Sequence, residues 1–415
     1  MLKSRKLLLV ILAVILVLAM GLTACKGGAM LKVAAVVPTG YTGESMKNAI
    51  NMAVEELNAA GGVLGKKIQI VWVVEGAADK LKNDLTQAIE RDGAKLIIGG
   101  YSSSAVAVGM QVMKEKKVLW FGTGGAHPSI VKAVENDPGM RYYFRVGTLD
   151  SSAQGKSIGQ FAINVLLPKK IKKAAFLRVN HPYALEILKP AREAMKSAGF
   201  EIVIEDEAVP FNATDFSAFL DKCKAKNVQV IVCSFLLGET TNFIKQVAAT
   251  GLNKKISIIG AMAMVLKDEF PADAGGPAAA AYVTSLSPQS GPVDMSGEGG
   301  AVKFANAYKA KFNMSAYWIS YMAYDALRVF NAAAKKANTI EAQKIIATME
   351  APDFEFTGVS NYKWKKENHD LIVGEYNGKM YTDFPWFQFY PDGNRYCVYP
   401  AKWKQKEFLL PGQQP

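Results

Sequence analysis

Three adjacent serines stand in "GGYSSSAVAVG", residues 99–109, between an apolar run and an apolar-periodic stretch. A serine attacks a carbonyl when a histidine takes its proton and an acid orients that histidine. The local frame for such a nucleophile is Gly-x-Ser-x-Gly at a strand-to-helix turn. Gly100 stands two residues before Ser102, but Ser104 occupies the second glycine position. The chain has three histidines, at 127, 181 and 369, so a triad has few members to draw on. Two glycine-rich segments fare no better. "GGVLGKK", residues 61–67, is one residue short between its glycines for a phosphate loop, and Lys67 replaces the required Ser or Thr. "GTGGAH", residues 122–127, carries His127 at the third glycine position of a dinucleotide turn. No carboxylate pair stands out for acid–base work. The spacing therefore predicts neither catalysis nor a cofactor, and no Cys/His pattern predicts a metal site.

The serines have two other uses. Serine is a preferred helix N-cap, which accounts for one of them. The others can turn hydroxyls into the crevice at the carboxyl end of a parallel sheet, where α/β folds bind ligands. A helix N-terminus there offers free N–H groups and a partial positive charge suited to a carboxylate. "GTGGAH", one strand–helix unit later, lets a ligand approach bare backbone.

The elements around these loops alternate. "LKVAAVV" (31–37), "KIQIVWVV", "KLIIGG" and "KVLWFG" read as strands. Between them lie helical patterns, such as Met46, Ala49, Ile50, Ala53, Val54 and Leu57 on one face, ended by Gly61-Gly62. The alternation restarts after residue 148 with "KKAAFLRV", "FEIVIEDEAV", "VQVIVCSF" and "KISIIG". Pro190 strains the helix assigned to residues 183–199. Two α/β units of similar size follow, each with a mostly parallel sheet. The joins lie near Thr148 and in the turn-rich stretch 284–292. Three helical patterns and short aromatic strands come last and complete the two units.

Of 415 residues, 50% are hydrophobic and 21% charged, a globular composition with material for two cores. The net charge is +12. The lysines are dispersed, which argues against nucleic acid and for a solvated exterior. The N-terminus reads "MLKSRK", then an apolar run over residues 7–22, then "LTAC" ending at Cys25. A basic n-region, an apolar h-region and small residues describe a secretory signal over residues 1–25. The form resembles a bacterial lipobox, which implies lipidation at Cys25 and an extracytoplasmic chain (periplasm or cell surface) tethered to a membrane. Cys223, Cys233 and Cys397 remain; three cannot all pair, and they read as small buried apolar residues.

"VAAVVPTG", "AVEELNAAGGVLGKKIQIV", "LIIGGYSSS", "HPSI", "FLRVNHPYALE" and "YWISYMAYDAL" together resemble the periplasmic leucine/isoleucine/valine-binding proteins of ABC importers, from about Lys32 to Lys402. The resemblance implies a type I periplasmic-binding fold: two doubly wound parallel-sheet α/β lobes joined by a three-crossing hinge. Residues 30–147 and 287–360 would form lobe one, 148–286 and 361–402 lobe two, and 403–415 a tail. It implies a small carboxylate-bearing ligand between the lobes and an ABC permease as partner. In that family a Ser grips the carboxylate, which falls here on Ser103 with Ser102 beside it. The next loop gives Gly124, Gly125 and Ala126, without the usual hydroxyl. Tyr41 and Tyr101 join the set from lobe one and Tyr183 from lobe two. The acid that takes an amino acid's ammonium aligns with Met262, and a side wall aligns with Leu236 and Leu237. A buried ammonium without an anion is costly. The expected ligand therefore has a carboxylate head and an apolar or aromatic body, unless Glu239 or Asp268 supplies the acid. A ligand sensor and a secreted serine hydrolase are the alternatives.

Overall fold

The computed structural model describes residues 30–287, 300–381 and 383–415. The expected secretory signal and Cys25 lie outside the described residues. The central strands of each sheet are short and buried on both faces, as strands covered by helices must be. β1 (Leu31–Val37), β2 (Ile68–Val74), β3 (Leu96–Gly99), β4 (Leu119–Gly122) and β5 (Tyr143–Arg145) form one all-parallel sheet in the order β2-β1-β3-β4-β5. The helices α1 (Gly40–Ala59), α2 (Ala78–Glu90), α3 (Ser103–Lys116) and α4 (Pro128–Asn136) connect its strands. Met46, Ala49, Ile50 and Ala53 of α1 are buried, the stripe expected from their spacing.

The second unit repeats the plan. α5 (Ser151–Phe161) leads to β6 (Lys173–Val179), α6 (Pro182–Ser197), β7 (Glu201–Val209), α7 (Ser217–Ala225), β8 (Val230–Phe235), α8 (Glu239–Ala249), β9 (Ser257–Met262) and β10 (Val283–Leu286). Pro190 sits inside α6. α9 (Gly300–Phe312), α10 (Trp318–Ala337) and α11 (Ala342–Met349) follow. α10 packs on α1 and on the backs of β3 and β4, so it returns to the first sheet. The last strands, β11 (Trp386–Phe389) and β12 (Arg395–Tyr399), extend the second sheet antiparallel from β10. Its order is therefore β7-β6-β8-β9-β10-β11-β12. Both sheets reverse strand order beside their first strand. That switch point opens a crevice at the carboxyl ends.

Residues 361–371, expected with the second lobe, lie instead against β5. The Trp364 indole donates to the Arg145 carbonyl at 2.6 Å, and His369 stacks on Phe144 at 3.9 Å. The physical reason is Arg145, fully buried at the end of β5 and in need of a counter-ion. Asp370 supplies it at 2.6 Å.

Cys223, Cys233 and Cys397 are free and buried. Burial pushes the thiol of Cys223 up to about 12, that of Cys397 up to about 11, and that of Cys233 well above its ordinary value. The thiolate is the reactive species. Iodoacetamide at pH 8 should leave all three unlabelled in the native chain and label them in denaturant. Labelling of the native chain would show that the segments around them open.

Candidate ligand-binding site

The loops that leave the carboxyl ends of β3, β4, β6, β8 and β9 meet around a cleft of about 200 Å³ between the two sheets. From the first sheet come Tyr101, Ser102, Ser103, Gly125 and Ala126; from the second come His181, Tyr183, Leu236, Leu237 and Met262.

The serine loop is built from below. Gly99 and Gly100 both have φ near +87°, which turns the chain away from the strand. The buried Trp120 indole holds the Gly99 carbonyl at 3.0 Å. The three serines then separate in role. Ser102 caps α3, its Oγ accepting the Ala105 N–H at 3.2 Å. Ser104 is exposed, with its Oγ 3.4 Å from that of Ser102. Ser103 lines the cleft, and its Oγ accepts the His127 N–H at 3.1 Å. With the backbone donating to its oxygen, Ser103 keeps its own proton to give to a ligand. No imidazole stands against any of the three. His127 uses Nδ1 on Ser129, at 2.8 Å to its Oγ, and His181 uses Nδ1 on the Tyr183 N–H.

Two of the amides at this turn are already taken. The Tyr101 and Ser102 N–H groups donate to the buried Glu75 carboxylate. Burial raises the Glu75 pKa, and these amides pull it back down. The donors left for an anion are the Ser103 hydroxyl and the amides of Ser103 and Ala126, which meet no acceptor among the described residues.

Gly124 and Tyr41 do not line the cleft. Gly124 lies flat on the serine loop, and a Cβ there would stand 2.2 Å from the Tyr101 carbonyl oxygen. Its glycine serves close backbone approach between two loops, not approach to a ligand. The Tyr41 ring is covered by Tyr317, centroids 5.4 Å apart, and by the Lys267 ammonium 4.5 Å from its centre. It bridges the two units beside the cleft.

The second-sheet wall is apolar. Phe235, Leu236, Leu237, Ala261, Met262 and Ala263 line it. Neither alternative acid reaches it. The Glu239 carboxylate accepts the N–H groups of Leu236 at 2.7 Å, Leu237 at 2.8 Å and Asn212 at 3.0 Å. Asp268 pairs with Arg395 at 2.9 Å. Among the described lining residues there is no carboxylate, lysine or arginine.

Sequence reasoning missed several lining residues. Gln154, fully buried in α5, accepts the Tyr183 hydroxyl at 2.8 Å and donates to the Leu149 carbonyl at 2.7 Å. Burial raises the Tyr183 pKa, so its hydroxyl stays protonated and donating. Trp318 enters from α10 and faces Tyr101, ring centroids 5.9 Å apart. Thr148, His181, Phe211 and Leu286 also line the cleft. His181 and Phe211 each follow a strand of the second sheet, a position that marks them. Trp318 comes from a segment more than two hundred residues after the serine loop, and nothing local marks it.

Two α/β units with a cleft where their strand-end loops meet define a two-lobed binding protein. The chain matches the periplasmic binding protein family over residues 37–379 and belongs to it. It is 26% identical to a Pseudomonas aeruginosa amino acid binding protein over 57% of this chain and 60% of that one, so the match spans less than two thirds of that relative. The branched-chain amino acid transporter substrate binding protein LivJ from Streptococcus pneumoniae, solved with isoleucine, superposes with a TM-score of 0.73 at 24% identity, covering 88% of this chain and 97% of that one. A solute binding protein of an ABC transporter from Rhodopseudomonas palustris, solved with 3,4-dihydroxybenzoic acid, superposes with a TM-score of 0.69 at 25% identity, covering 87% and 98%. The family is one of binding proteins, not enzymes.

Proposed function

We propose that the protein is the solute-binding component of an ABC importer of the branched-chain-amino-acid type, and that its ligand is a carboxylic acid with an apolar or aromatic body and no ammonium group. The observation that carries this is the pairing of neutral donors on one wall with an acid-free second wall. Ser103 and the free amides match a carboxylate, since hydrogen bonds to an ionised acceptor are the strong ones. An ammonium on the same ligand would lie against Met262, Leu236 and Leu237, and Glu239 is spent on three backbone amides. A charge buried without a partner costs several kcal/mol. The likeness to a protein solved with a dihydroxybenzoic acid supports the aromatic reading.

In this reading the two lobes close about their crossings and bury the ligand, the hinge mode of motion. The chain then hands its cargo to a membrane permease. Lipidation at Cys25 would hold it at the membrane outside the cytoplasm.

Thermal melts test the ligand class. The protein is first unfolded and refolded to strip carried solute. Benzoate and its hydroxylated relatives should raise the melting point, by about 2.7 kcal/mol of stabilisation at a hundred times Kd. Leucine, isoleucine and valine should leave it unchanged. Stabilisation by the amino acids alone would restore the amino acid as ligand.

A further inference from the structure

We propose that His181 is a specificity-determining residue of the cleft: a fixed N–H donor that selects ligands carrying a hydrogen-bond acceptor on the part lying against the second lobe. The proposal rests on the reading that the ligand is a carboxylic acid without an ammonium.

His181 caps α6, its Nδ1 accepting the Tyr183 N–H at 3.2 Å. A ring nitrogen that accepts carries no proton, so the neutral imidazole holds its proton on Nε2. Burial lowers the His181 pKa, with electrostatic repulsion from His127 on the facing lobe adding to it, and this favours the neutral ring. The Phe211 ring meets it edge to face at 5.7 Å. Nε2 has no hydrogen-bond partner among the described residues, and the ring lines the cleft.

The surroundings make this donor selective. Phe211, Phe235, Leu236, Leu237 and Met262 share the wall and offer no side-chain oxygen or nitrogen acceptor, the Met262 thioether being a weak one. A polar group enclosed without a partner is costly. When the lobes close over a plain hydrocarbon body, Nε2–H loses its water and gains nothing. A hydroxyl, ether or keto oxygen on that body restores the bond. Ser103 lies on one lobe and His181 on the other, so a ligand held at its carboxylate can present a ring substituent to His181. A site built to bond such a group rejects the analogue that lacks it.

Calorimetry on the full-length protein at pH 7.5 tests this with benzoate, 3-hydroxybenzoate and 4-hydroxybenzoate, on wild type and His181→Phe. Wild type should bind one hydroxylated isomer about tenfold more tightly than benzoate. In His181→Phe the ratio of the preferred hydroxylated isomer to benzoate should fall to about one, because benzoate no longer strands a donor. His181→Asn, which keeps a capping oxygen and an N–H, should recover part of it. A merely structural His181 would shift all three acids together, so an unchanged ratio in His181→Phe overturns the proposal. Equal wild-type affinity for all three acids also overturns it while leaving the carboxylic-acid reading intact. Binding of leucine with no aromatic acid bound removes both.

Discussion

Ser103→Ala is expected to weaken binding of the carboxylate ligand by about 1.5–3 kcal/mol, the range for a hydrogen bond to a charged group. That is roughly a ten- to hundredfold rise in Kd. The effect has two parts. The hydroxyl proton is lost to the ligand, and the His127 N–H loses the oxygen that accepts it at 3.1 Å. The neighbouring serine gives the contrast. Ser102→Ala removes the α3 cap and should cost about 1 kcal/mol of stability with a smaller effect on affinity. Calorimetry and melting curves on the two variants separate the roles. Unchanged affinity in Ser103→Ala would take that residue out of the site.

Arg145→Met is expected to cost about 3–5 kcal/mol of folding stability, the cost of leaving one member of a buried pair alone. Arg145 is fully buried, and its partner Asp370 has a side chain only 10% exposed. Removing the guanidinium leaves that carboxylate only the Lys365 ammonium, 3.9 Å from its other oxygen. It also removes two hydrogen bonds from Nη1, to the Gly125 carbonyl at 2.8 Å and to the Thr148 carbonyl at 3.0 Å. Gly125 belongs to the ligand loop and Thr148 to the chain's first passage between the units, and both line the cleft. Ligand affinity should therefore fall along with stability. Denaturant titration measures the loss. The double variant Arg145→Met with Asp370→Leu should recover much of the stability, because neither charge is then left alone. A single variant as stable as wild type would show that the pair contributes nothing.

The loop residues of the cleft were legible to different degrees. Ser103, Gly125 and Ala126 follow strands and Met262 ends one, and the carboxyl end of a parallel strand faces the crevice wherever the strand order reverses. Gly124 follows the same strand as Gly125 but turns to the serine loop. Tyr41 stands at the start of α1, yet Tyr317 and Lys267, far along the chain, cover its ring. Glu239 had the right charge and a plausible place. Three amides of its own neighbourhood claimed it.

The sequence by itself determined the alternation of strands and helices and the mostly parallel α/β class of the fold. These follow from local facts: apolar period, caps and glycine turns act within a few residues, and a parallel sheet then has little choice of topology. Tertiary structure alone decided which serine caps α3, which acids are spent, and that Trp318, Gln154 and His181 line one cleft with Tyr101. Those outcomes depend on side-chain directions and on competition for hydrogen bonds between segments far apart in the chain. No local propensity encodes that competition; it is settled only when the two lobes pack.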